Sequence, residues 1–167
     1  AFTRAGQENK ESTIRSLVEM IKNNQSPDRD RIITECRWKT SHPTVIEALI
    51  QVMMNETEPA RTRAAALNSL LAVSGETAVP LALRALCSPD HTYQSAAFQA
   101  LRNFIKEHGV TLHTFQELGA IARDPSNPGS RLAAPMIVEE APLVAKELFG
   151  NILRDPQDPR HMTIAIQ

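Results

Sequence analysis

Asn55-Glu56-Thr57-Glu58-Pro59-Ala60-Arg61-Thr62-Arg63-Ala64-Ala65-Ala66-Leu67-Asn68-Ser69-Leu70-Leu71 decides how this chain is read. A polar turn closes one helix, Pro59 opens the next, and a run of small residues leads into leucines. Before the turn, Val45, Ile46, Leu49, Ile50, Val52 and Met53 form a wide apolar stripe behind Ser41-His42-Pro43. A stripe of that width belongs to a helix buried between neighbours. After it, Ser74-Gly75 stops the second helix, since glycine accepts the backbone conformation of a helix end without a Cβ penalty. The stretch is the hinge of a helix pair.

The same unit recurs along the chain. Residues 1–8 are polar apart from Phe2 and read as a lead-in; from about Asn9, Ile14, Leu17, Val18 and Ile21 fall three and four apart. Ser26-Pro27-Asp28 then reads as a cap with proline at the first helical position, followed by Ile32, Ile33 and Cys36 up to Trp38. Val79 to Leu86 and Ala96 to Ile105 make a third pair around Ser88-Pro89-Asp90, closed by His108-Gly109. Leu112 to Ile121 and Leu132 to Ile137 make a fourth around Asp124-Pro125, with Pro135 and Pro142 shortening or kinking its second helix. Leu143 to Leu153 reads as a ninth helix, ended by Asp155-Pro156.

These turns begin at Ser26, Thr57, Ser88, Asp124 and Asp155, separated by 31, 31, 36 and 31 residues. Two helices per period of this length are the mark of a helical solenoid. The expected fold is therefore all-α, an α-α superhelix in which antiparallel helix pairs form a right-handed solenoid. It forms a single helical-repeat domain over 1–167, with approximate repeats 9–40, 41–75, 76–109, 110–140 and a partial 141–167.

Thr57 to Leu70 overlays Ser88 to Leu101, with Arg63 opposite Gln94, Ala65-Ala66 opposite Ala96-Ala97, and Leu70 opposite Leu101. This resembles the HEAT repeat in its short form of about 30 residues. That form has Asp-Pro-Asp in the turn, then Val-Arg, an Ala-Ala pair and Ala-Leu. Thr62-Arg63, Ala65-Ala66 and Ser69-Leu70 fit it, and Asp124-Pro125, Arg131 and Ala133-Ala134 fit with one inserted residue. The first pair lacks the Ala-Ala pair, as a terminal unit with atypical faces would. By that resemblance, Arg63 and Arg131 are structural repeat arginines that reach a neighbouring turn's carboxylate or carbonyls. Gln94 interrupts such a ladder.

Composition narrows the function classes. With 18 basic and 19 acidic residues the chain is nearly neutral, without the basic excess that displaces counterions from phosphates, so nucleic acid is not the expected partner. No uninterrupted apolar run reaches the roughly 18 residues of a membrane span. The compartment stays open: a soluble protein of the cytoplasm is slightly favoured, and a signal peptide removed before Ala1 would leave no trace. Cys36 and Cys87 match no metal or redox spacing and read as small core residues.

The sequence holds no catalytic constellation, and none is expected, nor any cofactor or metal site. His42, His91, His108, His113 and His161 form no His-Glu-x-x-His pattern, and His108 and His113 flank a glycine turn in the way exposed loop residues do. Glu139-Glu140 are helical neighbours that point about 100° apart, which a shared carboxylate site does not allow. What remains is surface. Stacked pairs align their second helices along one concave face, where Arg61, Asn68, Gln99 and Arg102 are the expected exposed residues. The reading is a non-catalytic scaffold or adaptor for another protein or peptide, with self-association through exposed solenoid ends as a further possibility. Two alternatives are a maturation or lyase-type assembly factor, a role the resemblance also implies, and a nucleic-acid-binding HEAT-like domain.

Overall fold

The computed structural model describes residues 2–39 and 41–139, with 2–10 and 37–39 as backbone alone. Helices are the regular structure here, and no strand occurs among the described residues. In order they are α1 (Phe2–Lys22), α2 (Arg29–Lys39), α3 (Pro43–Met54), α4 (Ala60–Ser74), a 3-10 turn (Gly75–Ala78), α5 (Val79–Leu86), α6 (His91–His108) and α7 (Leu112–Arg123). An eighth helix, α8, occupies 130–139 at the end of the described chain. The chain is all-α. The partial repeat 141–167, with its ninth helix, His161 and the closing apolar segment, lies outside the described residues.

Helix α4 is the centre of the packing, lying against α2, α3 and α6. It buries Ala66, Leu67, Leu70 and Leu71 and leaves Arg61 and Asn68 exposed. The small side chains between the leucines let helices meet it on more than one side, which suits close-packed helix interfaces. Helix α1 packs on α3, α5 on α6, and α5 on α7. One core runs through these contacts, from Ile14 and Ile21 through Leu49, Leu67, Leu86 and Leu101 to Leu118 and Met136.

Helix ends follow from local chemistry. Gly75 (φ 55°) and Gly109 (φ 83°) close α4 and α6, each in a conformation that a Cβ would strain. Pro43 opens α3 at its first position, with the His42 ring accepting from the Thr44 N–H. At α6 the order differs from the expected cap followed by proline. Asp90 is the cap, its carboxylate accepting from the Thr92 and Tyr93 N–H groups at 2.9 and 3.1 Å, while Pro89 precedes it. Likewise α2 begins at Arg29, two residues beyond Pro27. An acidic cap facing two N–H groups satisfies helix donors that proline lacks the side chain to reach.

Two further departures have plain causes. Helix α1 starts at Phe2, so 2–8 is no irregular lead-in. Arg4, Ala5, Gln7, Glu8 and Lys10 are all good helix formers, and neither proline nor a β-branched cluster interrupts them. The helix of 130–139 passes through Pro135, which is exposed. Ala60–Leu86 is the one described stretch long and apolar enough to cross a membrane, and half of its 18-residue apolar window is buried. Its helix breaks at Gly75, and its apolar residues pack on the other helices of this fold.

Candidate functional site

The turn between the two helices of each pair is where charged side chains meet. Arg29, 6% exposed, donates from Nε to the Ile21 carbonyl at 2.6 Å and from both Nη atoms to the Glu58 carboxylate at 2.7 and 2.8 Å. A two-pronged bond of this kind fixes both position and orientation. Beside it the Thr62 hydroxyl donates to Asp30 at 2.8 Å, and deeper in, the Ser69 hydroxyl donates to the Ile33 carbonyl at 2.6 Å. Three polar ties thus join the α2 unit to the α4 unit, and the first two line a polar cleft of about 390 Å³.

A second cleft, of about 240 Å³, lies where the end of α3 meets α5 and the start of α6. Arg63 enters it from α4, donating from Nε to the Met53 carbonyl at 3.0 Å, with its guanidinium over the Tyr93 ring, 4.0 Å from the ring centre. Cation–π stacking of this kind ties α4 to α6 without a carboxylate. Tyr93 is 2% exposed, and burial pushes its phenol above 10, with the charges of Arg63 and Arg84 pulling in the opposite direction.

Arg29, Arg63 and Gln94 share one task that their sequence positions do not announce. Each donates to a carbonyl in the last turn of the helix before it, at Ile21, Met53 and Leu86 respectively. Such carbonyls have no partner within their own helix. Gln94 therefore continues this part of the pattern, although it lacks the charge of an arginine. The Leu86 end is also approached by Gly129, where a Cβ would stand 2.8 Å from the Leu86 carbonyl oxygen.

The expected partner-binding residues are distributed as follows. Arg61 and Asn68 on α4 and Gln99 on α6 are exposed; Asn68 donates to the Ala64 carbonyl of its own helix at 3.1 Å. Arg102 is half-buried and grips Glu139 of α8, with Nε and Nη2 donating at 3.1 and 2.8 Å. Of the two repeat arginines, Arg63 is engaged as described, whereas Arg131 is exposed and bonds to no carboxylate or carbonyl among the described residues. Arg29, which sequence reasoning did not single out, carries the strongest tie. Its signal was partly available: Arg29 and Glu58 stand in successive turns, 29 residues apart.

Other candidates take structural places. His108 stacks on Phe104, ring centres 4.5 Å apart, and its Nδ1 lies 3.1 Å from the Phe104 carbonyl. No group of residues able to hold a metal ion occurs among the described residues. Cys36 is fully buried and Cys87 half-buried, with no disulfide between them. Set against known proteins, the chain matches no family model, no curated protein and no solved structure.

Proposed function

We propose that the chain is a non-catalytic binding scaffold whose stacked helix pairs form a HEAT-like α-α superhelix. The observation that carries this reading is the unbroken succession α2–α4–α6, in which second helices pack on one another. Such an arrangement sets the second helices along one continuous concave face. Arg61, Asn68 and Gln99 are exposed polar groups on α4 and α6, and Asn68 bonds within its own helix. In contrast, the buried charges Arg29 and Glu58 are fully engaged with each other and serve to hold one pair on the next. A mixed, nearly neutral surface suits a protein or peptide partner better than a polyanion.

The test is affinity capture by the immobilised chain, comparing wild type with an Arg61→Glu/Gln99→Glu variant. Arg102 is left intact because reversing it would break its bond to Glu139. Circular dichroism first establishes that the variant keeps its helices. A protein held by wild type and released by the variant supports the reading and identifies the partner. Equal retention moves the interface off α4 and α6, and capture of nucleic acid alone overturns the scaffold proposal.

A further inference from the structure

The cleft between the second and third turns contains donors with nothing of their own to bind. Arg63 uses only Nε, toward Met53, so its Nη groups have no hydrogen-bond partner among the described residues. Arg84 lines the same cleft and is exposed. Neither guanidinium is ion-paired with a described carboxylate, unlike Arg29, Arg31 and Arg102. The Tyr93 hydroxyl completes the set, because it too has no protein partner among the described residues. Among those residues, the Ser74 hydroxyl alone is both sealed from solvent and unpartnered. The Tyr93 hydroxyl is therefore reached by solvent, and Tyr93 lines the cleft.

We propose that this cleft binds a carboxylate carried on an apolar stem, held by the guanidinium groups of Arg63 and Arg84 and by a hydrogen bond from the Tyr93 hydroxyl. Two guanidinium forks and one neutral O–H donor match the acceptor pattern of a single carboxylate. Met54 and Leu81 give the cleft an apolar lining that would receive the stem. Glu56, which also lines it, disfavours a doubly charged ligand. The inference is independent of the surface on α4 and α6, because the cleft lies at the turns and contains none of Arg61, Asn68 or Gln99.

The chain has one tyrosine, so a tyrosine labelled with 13C at Cζ gives one resonance that reports this cleft. The full chain is titrated with hexanoate and, separately, with inorganic phosphate, at constant ionic strength held by chloride. Hexanoate should produce a saturable shift, and Arg84→Gln, at an exposed position, should weaken it about fivefold. A shift that fails to saturate, or saturates equally in the variant, overturns the site. Saturation by phosphate without saturation by hexanoate overturns the carboxylate assignment.

Discussion

Between the first and second turns, the Arg29 guanidinium has a carboxylate oxygen on both terminal nitrogens; between the second and third, those of Arg63 and Arg84 have none among the described residues. The two clefts begin alike, with an arginine Nε on a helix-end carbonyl. They diverge at the partner offered by the following turn. Glu58 is available to Arg29, whereas the position one period on from Glu58 is Pro89, which has no carboxylate. Arg63 lies instead on the face of Tyr93. One cleft is closed by its own charges, and the other keeps donors for something else.

The largest expected effect tests whether the first cleft is as closed as its distances indicate. Glu58→Ala leaves the Arg29 charge buried and uncompensated, and should lower unfolding free energy in urea by about 3 kcal/mol. The double variant Arg29→Met/Glu58→Leu removes both charges while keeping volume, and should recover most of that loss. If the single variant costs under about 1 kcal/mol, water reaches the pair and the contrast between the clefts disappears.

Arg63→Ala should cost less, about 1–2 kcal/mol, from one carbonyl bond and the stacking on Tyr93. No buried carboxylate is stranded by its removal, which is the physical reason for the smaller figure. A loss as large as that of Glu58→Ala would mean that Arg63 has a charged partner after all. Denaturant unfolding of the two variants side by side decides it.

Much of the helical order was legible from the chain, because apolar spacing and glycine stops act over a few residues. The 3.6-residue pattern of Val45 to Met53 and the stops at Gly75 and Gly109 needed no tertiary information. Cap positions were less legible. Serine and aspartate flank the same proline at 88–90, and only the folded backbone brings Asp90 to the Thr92 and Tyr93 N–H groups. The charged ties were legible least. Arg29 and Glu58 are 29 residues apart, and whether they meet depends on how one helix pair settles on the next. The same holds for Arg102, whose spacing placed it on a free surface but whose side chain reaches Glu139, 37 residues away. Gln94 was misleading for the opposite reason, since its amide can donate to a helix-end carbonyl as an arginine Nε does.

The smallest expected effect concerns Tyr93 itself. Burial raises its phenol above 10, so the fold favours the neutral form, and Arg63 and Arg84 partly offset this by favouring the phenolate. Because the folded value lies above the unfolded one, the associated stability is fully present below about pH 10 and is lost as pH rises through the folded value. Absorbance near 295 nm follows this group alone, the chain having one tyrosine. The native midpoint should lie above that measured in denaturant. Arg84→Gln should leave stability at neutral pH within about 0.5 kcal/mol of wild type, because its side chain is exposed. It should nevertheless move the Tyr93 midpoint further up, by removing one of the two charges that hold it down. An unchanged midpoint would place the Arg84 charge out of reach of the hydroxyl, leaving the second cleft with one arginine and no fork to oppose it.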